Sequence, residues 1–238
     1  FPFPRVTYTE AMNKYGSDKP DIRFGLELQD VTQLLKGKTE FNVFNNADVI
    51  KSIVVTGGNA FSKTQIEKLE ELVKKKGAKG LAYTKVTSAG LDVGISRFLS
   101  TENQTTIINS LNAREGDLLI FVADTLNITN KSLGCVRNYL GNLLRLTDPN
   151  ILSFVWITDF PFYEINDEGK LDFGHNPFSM PKGGRCVLDN DDPLAIESLQ
   201  YDLILNGFEI ASGSIRNHEP ETMIRAFERV GYGRDEII

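Results

Sequence analysis

Two carboxylates near the C-terminal end of the chain are spaced so that they could share one cation. Between them lies Asn206-Gly207, a dipeptide typical of a two-residue hairpin turn. With that turn Ile204 pairs with Glu209 and Asp202 lies opposite Ala211, so alternation along the strands places both acids on one face. As diagonal neighbours they would be about 7–8 Å apart at the backbone. Such oxygen ligands suit Mg²⁺ with a bound phosphate, although two acids on a solvated sheet face would show the same pattern.

Small residues and then an arginine follow the acidic pair. The run at 211–214, Ala-Ser-Gly-Ser, would let a flat ligand approach closely, but a bulge or a tightly packed strand would use the same residues. Arg216 is suited to gripping a carboxylate through two parallel hydrogen bonds, and a solvated arginine is the competing interpretation. Seven residues separate Glu209 from Arg216, so strict alternation places them on opposite faces. A shared pocket therefore requires a bulge between them, which we predict at Gly213.

The two histidines and two cysteines give weaker signals. His175 opens a loop rich in glycine and proline that runs to Pro193. A loop histidine could contact a substrate, but its residue type alone favours an ordinary surface position. His218 precedes a predicted helix, where we expect it to cap or pack. Cys135 and Cys186 lie far apart without CxxC spacing, which favours reduced thiols, and two histidines are too few for a histidine-rich metal site.

The elements that must position these groups predict an α+β fold. Strand and helix patterns alternate between about 26 and 150, which indicates a compact unit with its own core. Its best-defined element is a helix from Ser62 to Lys76, because Ser62 and Gln65 have capping-box spacing and Gly77 ends the helix. The first 25 residues are rich in turns. After residue 150 the patterns predict an apolar strand at 154–157, a hairpin at 163–173, the hairpin around Asn206 and a helix from Pro220 to Val230.

Composition restricts the kind of protein. The 238 residues are 41% hydrophobic and 24% charged, which is ordinary for a globular chain, and the net charge of −6 gives no global basic footprint for nucleic acid. No apolar run approaches the roughly 20 residues that cross a membrane, and the first residues do not read as a signal peptide, so we expect a cytoplasmic protein with no membrane partner. The chain does not begin with Met and ends just as a new pattern starts, so both ends are expected to be cut.

Five short motifs, taken together in order, resemble bacterial aspartyl-tRNA synthetases over essentially the whole chain. They are Tyr-Gly-Ser-Asp-Lys-Pro-Asp at 15–21, Gly-Ala-Lys-Gly-Leu-Ala at 77–82, Asp-Phe-Pro at 159–161, His-Asn-Pro-Phe at 175–178 and Asn-Gly-Phe-Glu-Ile-Ala-Ser-Gly-Ser-Ile-Arg at 206–216. The resemblance implies an antiparallel class II catalytic sheet with flanking helices, incomplete here and carried by residues 1–25 and 151–238. It also implies that residues 26–150 form an insertion domain, related to one in the B subunit of the tRNA-dependent amidotransferase.

The resemblance also implies roles for the candidate site residues. Glu209 would contact ATP and its magnesium, and Asp202 would be a second carboxylate on the magnesium side. Arg216 would bind the side-chain carboxylate of aspartate, and His175 would lie on a loop that closes over this amino acid. The substrates would be aspartate, ATP and aspartate tRNA, with asparagine tRNA left open, and the parent protein would be a homodimer.

The chain departs from the family pattern in several places. Many relatives have two histidines where this chain has His175-Asn176, and a glycine run where it has Ala-Ser-Gly at 211–213. The arginine motif that clamps the ATP phosphates, the closing Gly-Leu-Asp-Arg motif and the anticodon-binding barrel are not found. We therefore expect the chain alone to be inactive. The alternative is a non-catalytic insertion module that docks tRNA or a partner, for which Asp202, Glu209 and Arg216 would be unnecessary.

Overall fold

The computed structural model describes residues 2–166 and 168–237, which form two compact units. The central unit is Met12–Ile151, and the flanking unit combines the residues before Met12 with those after Ile151. In chain order the helices and strands are β1 (Arg5–Thr7), α1 (Tyr8–Tyr15), β2 (Gln29–Asp30), α2 (Thr32–Leu35), α3 (Asn42–Asn45), β3 (Val49–Val55), α4 (Lys63–Lys75), β4 (Ala82–Thr87), β5 (Gly90–Asp92), α5 (Thr101–Ser110), β6 (Leu118–Asp124), α6 (Leu126–Leu143), β7 (Phe154–Pro161), β8 (Tyr163–Ile165), β9 (Leu171–Phe173), α7 (Arg185–Asn190), β10 (Glu197–Leu205), β11 (Phe208–Ser214), α8 (Pro220–Arg229) and α9 (Arg234–Ile237). Within the described ranges, no helix is both long and apolar enough to span a bilayer.

The central unit is an antiparallel sheet, in the order β2-β3-β6-β4-β5, with apolar residues buried on both faces. Strand β6 shows why: Leu118, Ile120 and Val122 pack with α4 and α6, whereas Leu119 and Phe121 pack with α2, α3 and α5. A strand covered on both sides reads as a continuous apolar run, as Leu118 to Ala123 does. The predicted capping box of α4 is confirmed, since the Gln65 amide donates to Ser62 Oγ and the Ser62 amide donates to Gln65 Oε1.

The central unit begins at Met12, whereas the sequence predicted a start near residue 26. Residues 12–25 therefore pack with the central unit. Arg137 of α6, whose side chain is fully buried, is responsible. Its guanidinium donates to the carbonyl oxygens of Asp21, Phe24 and Gly25 at 2.7–3.0 Å, and its Cζ lies 4.1 Å from the centre of the Phe24 ring. Burial lowers its pKa to about 10, so the group stays protonated at neutral pH. The segment at 21–25 is therefore held by a helix more than a hundred residues later in the sequence.

The flanking unit has a second sheet in the order β1-β7-β10-β11. The β7–β10 and β10–β11 pairs are antiparallel as expected, but β1 pairs with β7 in parallel. Beside this sheet, the predicted hairpin is present as β8 and β9, and α8 begins at Pro220 as predicted. The stretch from His175 to Pro193, predicted as loop throughout, contains α7, because Leu188 is buried in a small cluster with Tyr163.

Candidate functional site

The predicted hairpin turn is present between β10 and β11. Asn206 has φ +52° and Gly207 has φ +87°, so both residues are left-handed, which a two-residue type I′ turn requires. Leu205 pairs with Phe208 and Ile204 with Glu209. The start of the hairpin therefore has the register that the sequence predicts.

After the first two residue pairs beyond the turn, a bulge shifts the register by one residue. Leu203 pairs with Ala211, so Ile210 is the extra residue, and Asp202 pairs with Ser212. The predicted pairing of Asp202 with Ala211 is wrong, and so is the predicted position of the bulge at Gly213. Gly213 has another reason to lack a side chain. It lies directly opposite Tyr201, and a Cβ there would approach the tyrosine ring to 2.7 Å.

The shift changes which residues share a face of the sheet. Residues paired directly across two strands lie on the same face, so Glu209 and Ser212 lie with the even-numbered residues of β10, among them Asp202. Ser214 pairs with Gln200 on that face, and Arg216 follows two residues later. The register thus assigns Asp202 and Glu209 to one face, and alternation continued past the end of β11 at Ser214 assigns Arg216 to the same face, despite its odd separation from Glu209. Asp202 is 4% exposed, whereas the other two are exposed.

The loop that carries His175 is joined to the strand that carries Arg216. The Met180 amide donates to the Ile215 carbonyl, and the Asn217 amide donates to the Phe178 carbonyl, both at 2.8 Å. The Met180 carbonyl accepts from the Leu199 amide at 2.9 Å, so residues 178–182 cross the open end of the β10–β11 hairpin. Ser179 and Arg216 form an isolated antiparallel bridge there. The backbone therefore couples the two predicted aspartate-binding elements.

The histidines differ in their surroundings. His175 is exposed, but its ring packs edge-on against Phe160, with centroids 4.8 Å apart, and lies 5.8 Å from the ring of Tyr8. His218 neither caps nor packs against α8 as predicted. It is exposed, with Nδ1 3.2 Å from the Arg216 carbonyl oxygen. Among the contacts of the described residues, His175 alone of the two histidines has an aromatic support that could fix the direction of its imidazole.

A charged group that sequence reasoning missed lies at the base of the His175 loop. Lys182 Nζ donates to Asp159 Oδ1 at 2.7 Å and to Glu197 Oε2 at 2.8 Å, and the Thr158 hydroxyl donates to Asp159 Oδ2 at 2.8 Å. The Lys182 hydrogen bond is the main cause that lowers the pKa of Asp159, and the same two acids raise the pKa of Lys182. The sequence did single out Asp159, as part of the Asp-Phe-Pro motif at 159–161, but it gave no indication that Lys182 would be its partner.

Buried polar atoms without partners lie along the same part of the hairpin. Ser179 Oγ, Gln200 Oε1 and Ser214 Oγ are closed off from solvent and have no hydrogen-bond partner among the residues described. By contrast, the buried Ser198 hydroxyl donates to the Phe160 carbonyl at 3.2 Å. An unsatisfied buried hydroxyl destabilises a fold by about 1–3 kcal/mol. Ser179 forms a bridge with Arg216. Gln200 and Ser214 pair with each other and lie two residues before Asp202 and Arg216, respectively.

The acidic pair could contribute to a cation site but could not complete one. Across the described residues, no group of three or more His, Cys, Asp or Glu side chains is arranged to hold a metal. Asp202 and Glu209 on one face offer hard carboxylate oxygens, which suit Mg²⁺. Mg²⁺ commonly takes its remaining ligands from phosphate and water, so two carboxylates fit a phosphate-bound ion.

An antiparallel hairpin with carboxylates and an arginine on one face, beside helices, is what the class II tRNA synthetases are expected to show. Residues 1–237 match the family model described as tRNA synthetases class II (D, K and N). The chain belongs to this family.

Among curated proteins, the chain is similar to aspartate–tRNA ligases. It is 44% identical to Aspartate–tRNA(Asp/Asn) ligase of Pelodictyon phaeoclathratiforme over 242 residues, which cover all of this chain and 40% of that protein. It is 43% identical to the ligase of the same description from Beijerinckia indica, covering 99% of this chain and 41% of the relative. It is 42% identical to Aspartate–tRNA ligase of Streptomyces avermitilis, covering 99% and 40%. The chain thus spans about 40% of the length of these relatives.

Proposed function

We propose that this chain supplies part of the amino-acid activation site of an aspartate–tRNA ligase. The observation that carries the proposal is the bulge at Ile210, which brings Arg216 to the face that Asp202 and Glu209 already share. In the proposed reaction the α-carboxylate of aspartate attacks the α-phosphate of ATP, giving aspartyl-adenylate and pyrophosphate. The terminal ribose hydroxyl of the tRNA then attacks the carbonyl carbon of the adenylate, which forms the aspartyl ester and releases AMP.

The proposed roles follow the charges on that face. Asp202 and Glu209 hold the magnesium side of ATP, and a bound Mg²⁺ supplies charge neutralisation at the phosphates. Arg216 binds the side-chain carboxylate of aspartate as a bidentate pair, and His175 approaches the same amino acid from its loop. These groups orient the substrates and stabilise charge without a covalent nucleophile, so positioning and electrostatics provide most of the rate enhancement.

The proposed partners are aspartate, ATP and aspartate tRNA, acting in the cytoplasm on a homodimeric parent protein. The relatives carry two descriptions, Asp/Asn and Asp, which leaves asparagine tRNA as a second candidate acceptor. Charging assays with both purified tRNAs separate these cases: product with both tRNAs assigns the broader substrate range, and product with aspartate tRNA alone assigns the narrower one.

The test is aspartate-dependent ATP–pyrophosphate exchange by the protein that the complete reading frame around this segment encodes. Arg216→Leu should raise the KM for aspartate about 100-fold, because a charged hydrogen-bonded contact contributes about 1.5–3 kcal/mol. Arg114→Leu, at an exposed arginine of the central unit, is the matched control and should leave the KM unchanged. An Arg216→Leu protein with an unaltered KM for aspartate would refute the assignment. The 238-residue chain by itself is expected to show only background exchange.

A second candidate function, docking of tRNA by the central unit, is favoured by a cavity of about 350 Å³ in that unit. Residues from three segments line it, with the amides of Asn42 and Asn46 and the Lys79 ammonium as donors toward a phosphate. Asp48 and Asp124 also line it, as acids that a phosphate must avoid. Lys79 belongs to the Gly-Ala-Lys-Gly-Leu-Ala motif that the aspartate site does not use. Lys79→Glu should weaken tRNA binding in filter assays while leaving pyrophosphate exchange unchanged. Equal tRNA binding by both proteins would remove this candidate and leave a protein partner as the remaining docking hypothesis.

A further inference from the structure

A strained residue lies in the middle of β7. Asp159 has φ +57°, a left-handed conformation that residues other than glycine rarely adopt within a strand. On either side of it Thr158 pairs with Tyr201 and Phe160 pairs with Ser198. Strand β7 therefore contributes one residue where β10 contributes two. Such strain persists only where neighbouring groups hold it, and it often marks a functional site.

The group that holds Asp159 is Lys182, the last residue of the segment 175–182, which lies before α7 in the predicted loop and is called the His175 loop here. Lys182 places one ammonium between Asp159, on β7, and Glu197, on the adjacent strand β10. Its backbone amide also donates to the Glu197 carbonyl at 2.8 Å. An isolated exposed ion pair contributes little to stability, and the Lys182 side chain is half exposed. The Lys182 ammonium nevertheless contacts two carboxylates, and its backbone amide is bound as well. Together these contacts fix the position of the last residue of the loop.

The start of the same loop is also fixed by this part of β7. Phe160 directly follows Asp159, is fully buried, and contacts the His175 ring edge-on. The backbone of Asp159 therefore directs Phe160 toward His175, while its carboxylate holds Lys182. Both ends of the loop therefore depend on Asp159, through its carboxylate at Lys182 and through its backbone at Phe160.

We propose that Asp159, Lys182 and Glu197 form a positioning clamp that sets the direction of the His175 imidazole for binding the aspartate carboxylate. The proposal rests on the proposed function. Two carboxylates more than neutralise the Lys182 ammonium, so Lys182 acts by holding the loop and does not attract the anionic substrate itself. Asp159 and Lys182 are thus positioning residues, and His175 is the residue through which they act.

The test of the clamp begins with the 238-residue chain, whose sequence has two histidines and therefore gives two sets of imidazole NMR signals. Asp159→Asn keeps the size of the side chain and tolerates the left-handed backbone, but loses the charge. Asp159→Asn and Lys182→Met should both shift the His175 signals by removing the ring from Phe160, and leave those of His218 in place. Lys170→Met, which breaks the exposed pair with Glu168, is the matched control and should move neither set.

Kinetics on the protein from the complete reading frame then separate positioning from general stability. Asp159→Asn and Lys182→Met should raise the KM for aspartate about tenfold, with the KM for ATP unchanged, and Lys182→Arg should restore it to within about threefold because it can bridge both acids. If His175→Ala leaves the KM for aspartate unaltered, the proposed function fails at this residue. If His175→Ala raises the KM but the two clamp variants move neither the KM nor the His175 signals, the clamp is refuted. A lowered melting temperature with unchanged His175 signals would also refute it.

Discussion

The core of the central unit and the hairpin of the flanking unit obey local rules to different degrees. In the central unit, α4 has a complete capping box and β6 alternates cleanly between two buried faces. The central unit also has left-handed residues such as Val93 and buried polar atoms without partners such as Ser52 Oγ, but among the described strands the register shifts lie in the hairpin region, at Ile210 and beside Asp159. Departures from local consistency concentrate where a protein binds and reacts. The two register shifts therefore support the proposal that the hairpin region carries the site.

The largest expected effect is a loss of stability when the buried Arg137 of the central unit is replaced. Arg137→Met should lower the free energy of unfolding by about 3 kcal/mol or more, because the carbonyl oxygens of Asp21, Phe24 and Gly25 lose their charged donor. Urea denaturation of the 238-residue chain, followed by circular dichroism, measures it. Arg114→Met is the control and should stay within about 0.5 kcal/mol of the parent. A change this small at Arg137 would show that residues 12–25 are not held by α6.

The next effect concerns the hairpin itself. Gly213→Ala should destabilise the chain by about 1–2 kcal/mol, because the new Cβ meets the Tyr201 ring at 2.7 Å. The cost should largely vanish in a Tyr201→Ala background, which a double-mutant cycle by urea denaturation measures. Gly80→Ala in the central unit has an ordinary 3.6 Å contact and should cost little. If Gly213→Ala lowers the free energy of unfolding equally with and without Tyr201, the glycine is required for its backbone conformation and not for the contact with the ring.

Unsatisfied hydroxyls sharpen the comparison further. Ser179→Ala and Ser214→Ala should leave thermal stability unchanged or raise it by up to about 1 kcal/mol, because each removes a buried polar atom without a partner. Ser198→Ala, at a buried serine that does donate to Phe160, should lower stability by about 1 kcal/mol. Melting temperatures of the three variants decide the point. Equal losses at all three serines would contradict the assignment of unsatisfied atoms to the site.

The smallest expected effect is the pH dependence of the Asp159 contact. The pKa of Asp159 in the folded chain lies below its ordinary value of 3.8, so its contribution is present above that pH and is lost as pH falls through the lowered value. The stability difference between the parent chain and Asp159→Asn should be constant from pH 7 to about 5 and shrink below about 4. A difference that grows on acidification would show that the carboxylate is not stabilised by Lys182.

Local patterns predicted those features that neighbouring residues determine. The Ser62–Gln65 cap and the Asn206-Gly207 turn each depend on residues within a few positions, and both are confirmed. The position of the bulge was missed, since small size suggested Gly213 whereas that residue accommodates Tyr201 from the neighbouring strand. Lys182 finds its partner 23 residues away, and sequence spacing carries no signal for such a contact.

The same reasoning explains the domain boundary. Tyr15 to Asp21 is rich in turn residues and reads as a connection on either side of a boundary. What assigns it to the central unit is Arg137, whose donors reach Asp21 and Phe24 across more than a hundred residues. A buried arginine in an amphipathic helix shows in sequence only as an interruption of the apolar face, which does not name its acceptors.

The central claim is the register of the hairpin, and cross-strand nuclear Overhauser effects in the labelled 238-residue chain test it most directly. We expect contacts between the backbone protons of Ile204 and Glu209 and between those of Asp202 and Ser212. Ile210 should have no directly opposed partner on β10. Arg216 then shares the face of both acids. Contacts between Asp202 and Ala211 in place of Ser212 would mean a regular strand through Ile210, would turn Arg216 to the opposite face, and would contradict the proposed site.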